Sequence, residues 1–161
     1  MFLFRWPSAS DWRFTALCVL GFILIAVPFA LISGIYRWTP NLISTHLVRV
    51  ALIALILPAL MEELVFRGPL IWLQRARGTV PLWASLIGLV AFVSWHPINA
   101  LTFMPQAAST FLDPRFLVVT TVFGAAATLV TLRSRSLWPA IAFHWLLVVA
   151  WKGLFGAPSF L

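Results

Sequence analysis

Glu62 and Glu63 stand side by side inside an apolar run, Ala51-Leu52-Ile53-Ala54-Leu55-Ile56-Leu57-Pro58-Ala59-Leu60-Met61 before them and Leu64-Val65-Phe66 after, with Arg67 four residues beyond Glu63. One charged side chain near the middle of a bilayer costs roughly 2.5–3.5 kcal/mol on insertion scales, so three unpaired ones would cost on the order of 8–10 kcal/mol. Such groups must be paired, hydrated or neutralised. On a helix Glu63 and Arg67 share a face and can pair, whereas Glu62 lies about 100° away around the axis and is left to meet another element. Of the three histidines, His96 and His144 lie in apolar stretches, while His46, beside Thr45 at a span edge, reads as interfacial. A carboxylate and two imidazoles converging in a water-accessible cleft can carry out hydrolysis in two ways. In one, Glu62 is the general base on a water that His96 also orients, and His144 donates a hydrogen bond to the developing oxyanion. In the other, Glu62, His96 and His144 bind a zinc ion that activates the water. The His-Glu-x-x-His zinc signature is absent, which favours the version without metal, so no cofactor is expected and zinc is the alternative.

The solvent that surrounds these groups is lipid. Hydrophobic residues make up 62% of the 161, charged residues 9%, and mean hydropathy is +1.01, far outside the range of a soluble domain. The single cysteine, Cys18, excludes a disulfide within the chain and a thiolate metal site. The net charge of +7 comes from arginines that flank apolar stretches, which reads as topology and contact with anionic lipid, with no nucleic-acid partner. At about 20 residues per span there is room for one all-α domain, residues 1–161, built as a polytopic transmembrane helical bundle of about five spans, with the motif-bearing core at about 45–155.

The expected elements are an interfacial lead-in over Met1 to Arg13, a first span from Phe14 to Tyr36 with Pro28 inside, and a turn at Arg37-Trp38-Thr39-Pro40-Asn41. One long second helix, Thr45 to Gln74, carries the acidic pair. A third span from Val80 ends at His96 before Pro97, a fourth covers Phe116 to Leu132, and a fifth covers Leu137 to Phe155. Pro97 to Arg115, with three prolines, reads as an interfacial or re-entrant loop that gates access to the site. Within it Asp113 and Arg115 read as a local surface pair. The positive-inside rule groups Arg5, Arg13, Arg75, Arg77, Arg133 and Arg135 on the cytoplasmic side and Arg37, Arg49, Arg115 and Lys152 opposite, so the N-terminus is cytoplasmic and the C-terminus is not. At about 1.5 Å per residue, Glu62 lies on the order of 20 Å and His96 on the order of 24 Å from that side, but His144 only about 10 Å. Tilt or an earlier helix start has to bring His144 to the level of the others.

Glu62-Glu63-Leu64-Val65-Phe66-Arg67 fits a Glu-Glu-x-x-x-Arg motif, Phe92-Val93-Ser94-Trp95-His96 a Phe-x-x-x-His motif, and Phe123-Gly124 through Ser136-Leu137-Trp138-Pro139-Ala140-Ile141 to His144 a third region. In order and spacing, from about Ala51 to Trp151, the chain resembles the CPBP family, the type II CAAX prenyl endopeptidase and bacteriocin-processing (Abi-like) intramembrane proteases. The resemblance implies that Glu62 and His96 activate the attacking water, that His144 helps form the oxyanion site, and that Glu63, Arg67 and Phe92 support them. It departs from the family pattern at Val148, four residues after His144, where many members carry Asn. The implied partner is a membrane-associated or lipidated peptide or protein in a bacterial-type plasma membrane or related internal membrane; oligomeric state is left open. Two other readings stand beside the enzyme. One is a catalytically silent scaffold, an immunity or assembly factor holding a peptide tail in the same pocket, which Val148 favours. The other is a proton-coupled transporter, for which five spans without a repeat leave little room.

Overall fold

The computed structural model describes residues 3–41 and 45–155; Phe2 of the lead-in and the side chain of His46 lie outside what is described. The chain is an all-helical, polytopic membrane bundle, without strands among the described residues. Helix α1 is Ala9–Ile32, α2 is Thr45–Ala54, α3 is Met61–Phe66, α4 is Gly68–Arg77, α5 is Leu82–Thr102, α6 is Ala108–Phe111, α7 is Pro114–Ser134 and α8 is Trp138–Leu154. Among the described residues α1, α5 and α7 are each long and apolar enough to cross a membrane, and α8 is a shorter apolar helix.

Helix α1 starts five residues before the expected Phe14. Ser8 and Asp11 form a reciprocal cap, the Ser8 hydroxyl accepting from the Asp11 backbone N–H at 3.2 Å and the Ser8 N–H donating to the Asp11 carboxylate at 2.9 Å. Two donors at the helix end are thereby satisfied, so Trp12 and Arg13 are helical rather than part of a lead-in. The chain between α1 and α2 is held to the end of α8, where Thr39 and Asn41 donate backbone hydrogen bonds to the carbonyls of Leu154 and Gly153.

The second apolar segment is not one helix. Between α2 and α3, Leu55–Leu60 is π-helical, with Leu57 outside helical geometry at φ −122°, ψ 107° and a cis peptide bond before Pro58. A second break comes at Arg67, whose φ of −114° separates α3 from α4. Pro58 and Pro69 each lack an N–H for the helical ladder, which is why both breaks fall where they do. Helix α5, in contrast, runs past the expected stop at Pro97 to Thr102. Pro97 cannot donate to the Val93 carbonyl, and the His96 ring lies against the carbonyls of Phe92 and Val93 instead. The expected loop is therefore mostly structured: α5 occupies its start, a 3-10 turn at Pro105–Ala107 and α6 its middle, and Asp113 caps α7.

Helix α7 is the central element, packed along α1, α5 and α8. Ala26, Ala30, Ala127 and Ala140 are buried among Phe22, Phe92, Phe123 and Phe143; the small residues let backbones approach closely, which is how helices associate where lipid supplies no hydrophobic drive. Leu17, Leu24, Ile32, Leu82 and Val90 point outward, as a lipid-facing surface requires.

Candidate active site

The cluster is built around Arg67, which is 1% exposed, and Glu63, which is fully buried. The break between α3 and α4 places the Arg67 guanidinium inside the bundle. One of its nitrogens donates to Glu63 Oε1 at 3.3 Å and another to the Gly124 carbonyl on α7 at 3.2 Å. Its central carbon lies 4.0 Å from the centre of the Phe92 ring on α5. Planar charge over a ring face in a dry environment is a favourable cation–π contact. One buried arginine thus ties α3, α5 and α7 together. Gly124 permits it: a Cβ there would fall 2.7 Å from Leu89 Cδ1, 2.9 Å from Phe92 Cδ1 and 3.3 Å from the Arg67 nitrogen.

Glu63 also has a second partner. His144 Nδ1 donates to the same oxygen, Glu63 Oε1, at 2.9 Å. The pairing of Glu63 with Arg67 matches the expectation from the i,i+4 spacing; the simultaneous grip on His144 was not legible from one helix. The level mismatch of about 10 Å anticipated for His144 is not present where it matters, since His144 reaches Glu63 directly.

Glu62 takes the other direction, as its angular offset requires. Its Oε2 lies 4.0 Å from His144 Nε2 and is buried without a hydrogen-bond partner among the described residues. Trp95 on α5 directs its indole N–H at the same carboxylate. His96, one residue further, donates through Nδ1 to the Phe92 carbonyl at 3.1 Å, since a carbonyl can only accept. Nε2 of His96 is then left as an acceptor. Rings enclose it: Phe92, Phe111 and Phe116 have centroids 5.3, 5.2 and 5.5 Å away.

Glu62, His96 and His144 line one cavity of about 350 Å³, open at one side and walled mainly by apolar and aromatic side chains. All three predicted site residues thus reach a common space from α3, α5 and α8. The supporting residues Glu63, Arg67 and Phe92 stand around it. Val148 also lines the cavity, so the departure from the family pattern falls inside the site. Sequence reading missed Asn99, one turn beyond His96 and on the same wall; its i+3 spacing was the available signal. Among the described residues no three His, Cys, Asp or Glu side chains are arranged to hold a metal ion.

A family model, type II CAAX prenyl endopeptidase Rce1-like, matches residues 44–150 of the 161. The chain belongs to this family. Membership places it among CAAX-type membrane proteases, and the matched stretch contains every site residue named above while leaving α1 outside. No curated protein and no solved structure matches the chain.

Proposed function

We propose that the chain is an intramembrane endopeptidase that hydrolyses a peptide bond of a membrane-associated or lipidated peptide or protein through a water activated by Glu62 and His96. The observation that carries this reading is the convergence of Glu62, His96 and His144 on one apolar-walled cavity from three separate elements. Glu62 Oε2, without a hydrogen-bond partner among the described residues and 4.0 Å from His144 Nε2, is the base that removes the water's proton. His96 Nε2 is an acceptor and orients the water. His144 then donates to the carbonyl oxygen as it becomes an oxyanion. That role falls to Nε2, since Nδ1 is held by Glu63. The Asn99 amide is a second donor on the same wall. These steps use Glu62 and the two imidazoles alone; zinc held by Glu62 and the Nε2 atoms of His96 and His144, with Nδ1 of each ring kept on its present acceptor, is the alternative. The N-terminus and the ends of α4 and α7 face the cytoplasm in this reading, by the distribution of arginines.

The test is a comparison of membrane-protein termini by mass spectrometry in cells carrying wild type or Glu62→Gln at equal abundance. New termini that vanish in the variant support proteolysis and name the substrate. Identical termini, with both proteins folded, favour the second reading, a silent scaffold that holds a peptide tail, to which Val148 on the cavity wall lends support. Chelation together with elemental analysis separates the metal-free mechanism from the zinc alternative.

A further inference from the structure

A second cavity, larger than the first, lies at the end of the bundle where α1 begins and α4 and α7 finish. Its volume is about 1080 Å³, and Arg5, Arg75, Arg133 and Arg135 line it together with a single acidic residue, Asp11. Asp11 is occupied: it accepts from Ser8 and lies 3.5 Å from Arg5. Among the described residues four guanidiniums and one engaged carboxylate face one concave space, with Arg133 and Arg135 on its exposed rim.

The ordinary account of such arginines is that they fix topology and offset the negative ends of helices α4 and α7. That account needs a positive charge near each end, not four drawn from three distant stretches of chain into one cavity. Arg135 is also held in the left-handed conformation at φ 52°, ψ 36°, at a helix C-terminus where glycine is the usual residue. A backbone position costly for any residue but glycine is here occupied by an arginine. The second independent observation is Gln74. Its Nε2 donates to the Leu132 carbonyl at 3.1 Å, which fixes the orientation of the amide. Its Oε1 is buried, lines the cavity with the arginines and has no hydrogen-bond partner among the described residues. An acceptor left open beside a group of guanidiniums suits a ligand that carries an anionic phosphate and, next to it, a hydroxyl to donate.

We propose that this cavity binds the headgroup of a hydroxylated anionic phosphate ester, with the phosphate on Arg133 and Arg135 and a hydroxyl donating to Gln74 Oε1. A glycerol phosphate diester of a membrane lipid has both groups and stands at the right level, the rim of the bundle; a soluble phosphate ester shares the chemistry. Guanidiniums recognise phosphate oxygens in bidentate fashion, and an open amide acceptor separates a hydroxylated headgroup from one capped with a quaternary amine.

The experiment uses the full purified chain in phosphatidylcholine nanodiscs titrated with phosphatidylglycerol, with bound lipid counted by native mass spectrometry. One saturable site is expected. Replacing Arg133 and Arg135 with Gln, both on the exposed rim, should weaken it by roughly tenfold or more. Removing the same charge at Arg37 and Arg49 should leave it unchanged. Gln74→Leu should remove the preference for phosphatidylglycerol over phosphatidic acid. Competition by glycerol 3-phosphate assigns a soluble ester as ligand, and resistance to it assigns the lipid. Binding that never saturates, or that falls equally in the Arg37/Arg49 control, overturns the proposal and leaves only general attraction to an anionic surface.

Discussion

Two ion pairs of this molecule invert the usual reading of distance. Asp113 and Arg115, at the start of α7, approach to 2.6 Å with several further hydrogen bonds between them. Glu63 and Arg67 stand 3.3 Å apart. The shorter pair lies at the surface, where water screens it and side-chain ordering offsets most of the gain. The longer one is sealed inside the bundle, where an uncompensated partner has nowhere to turn. Burial and the number of further groups held, not the length of the contact, decide which pair matters. Arg67 holds Glu63, Gly124 and Phe92, and through Glu63 it holds His144; Arg115 holds Asp113 and the Ser33 carbonyl.

The sharpest break of this comparison is Arg67→Ala. It leaves the buried Glu63 carboxylate with His144 but without its cation, and should cost about 3–5 kcal/mol, read as loss of the folded monomer in detergent by thermal unfolding. Replacing both members, Glu63→Leu with Arg67→Met, should do less damage than Arg67→Ala alone while still abolishing proteolysis, because His144 loses the acceptor for Nδ1; equal damage would mean that the pair itself, not its uncompensated half, carries the stability. Next comes Glu62→Gln, which keeps the shape and leaves Glu63–Arg67 intact. It should reduce cleavage by roughly 10²–10⁴-fold with an unchanged melting temperature, whereas a drop in melting temperature as large as that of Arg67→Ala would make Glu62 a structural member of the buried network.

Gly124→Ala is a smaller perturbation of the same centre. The added methyl meets Leu89 and Phe92 at under 3 Å, an overpacking worth about 1–3 kcal/mol, and because it presses on Arg67 it should lower activity along with stability. At the bottom of the scale is Asp113→Asn. The hydrogen bonds from the Arg115 side chain hold the Asp113 carboxyl below its usual range. A carboxylate depressed in the folded state contributes stability above its unfolded value and loses it as pH falls through the folded one. The contribution is therefore present at neutral pH and lost in acid, below about pH 4; because the pair is exposed, substitution at neutral pH should lower the melting temperature only slightly. A large shift would show that α7 depends on its cap more than the buried network suggests.

The interpretation of the two regions was unequally available from the chain. Composition and the five apolar segments imply a helical membrane bundle because no other backbone arrangement satisfies its hydrogen bonds in lipid without closing a barrel. The spacing of Glu63 and Arg67 is a local property of a helix, and so is the 100° offset that sends Glu62 elsewhere. Helix limits were less legible. Pro97 reads as a stop, yet α5 continues through it with the His96 ring against the carbonyls of the preceding turn, a side-chain circumstance that no propensity encodes. The inward faces were hidden as well. Leu24 faces out and Phe22 faces in, but both are apolar, so a helix surrounded by lipid lacks the polar stripe that would distinguish its sides.

What the sequence by itself determined is that charges had to be paired within an apolar span, and which residues could do so: the constraint is energetic and local, set by the cost of a bare charge in lipid. Only the tertiary structure decided that His144 joins Glu63 rather than facing Glu62 alone, that Gly124 opens the space for the arginine, and that four arginines from three stretches of chain share one cavity. Each of these joins residues far apart in the chain, and their distances depend on how broken helices bend and pack rather than on any spacing along one of them.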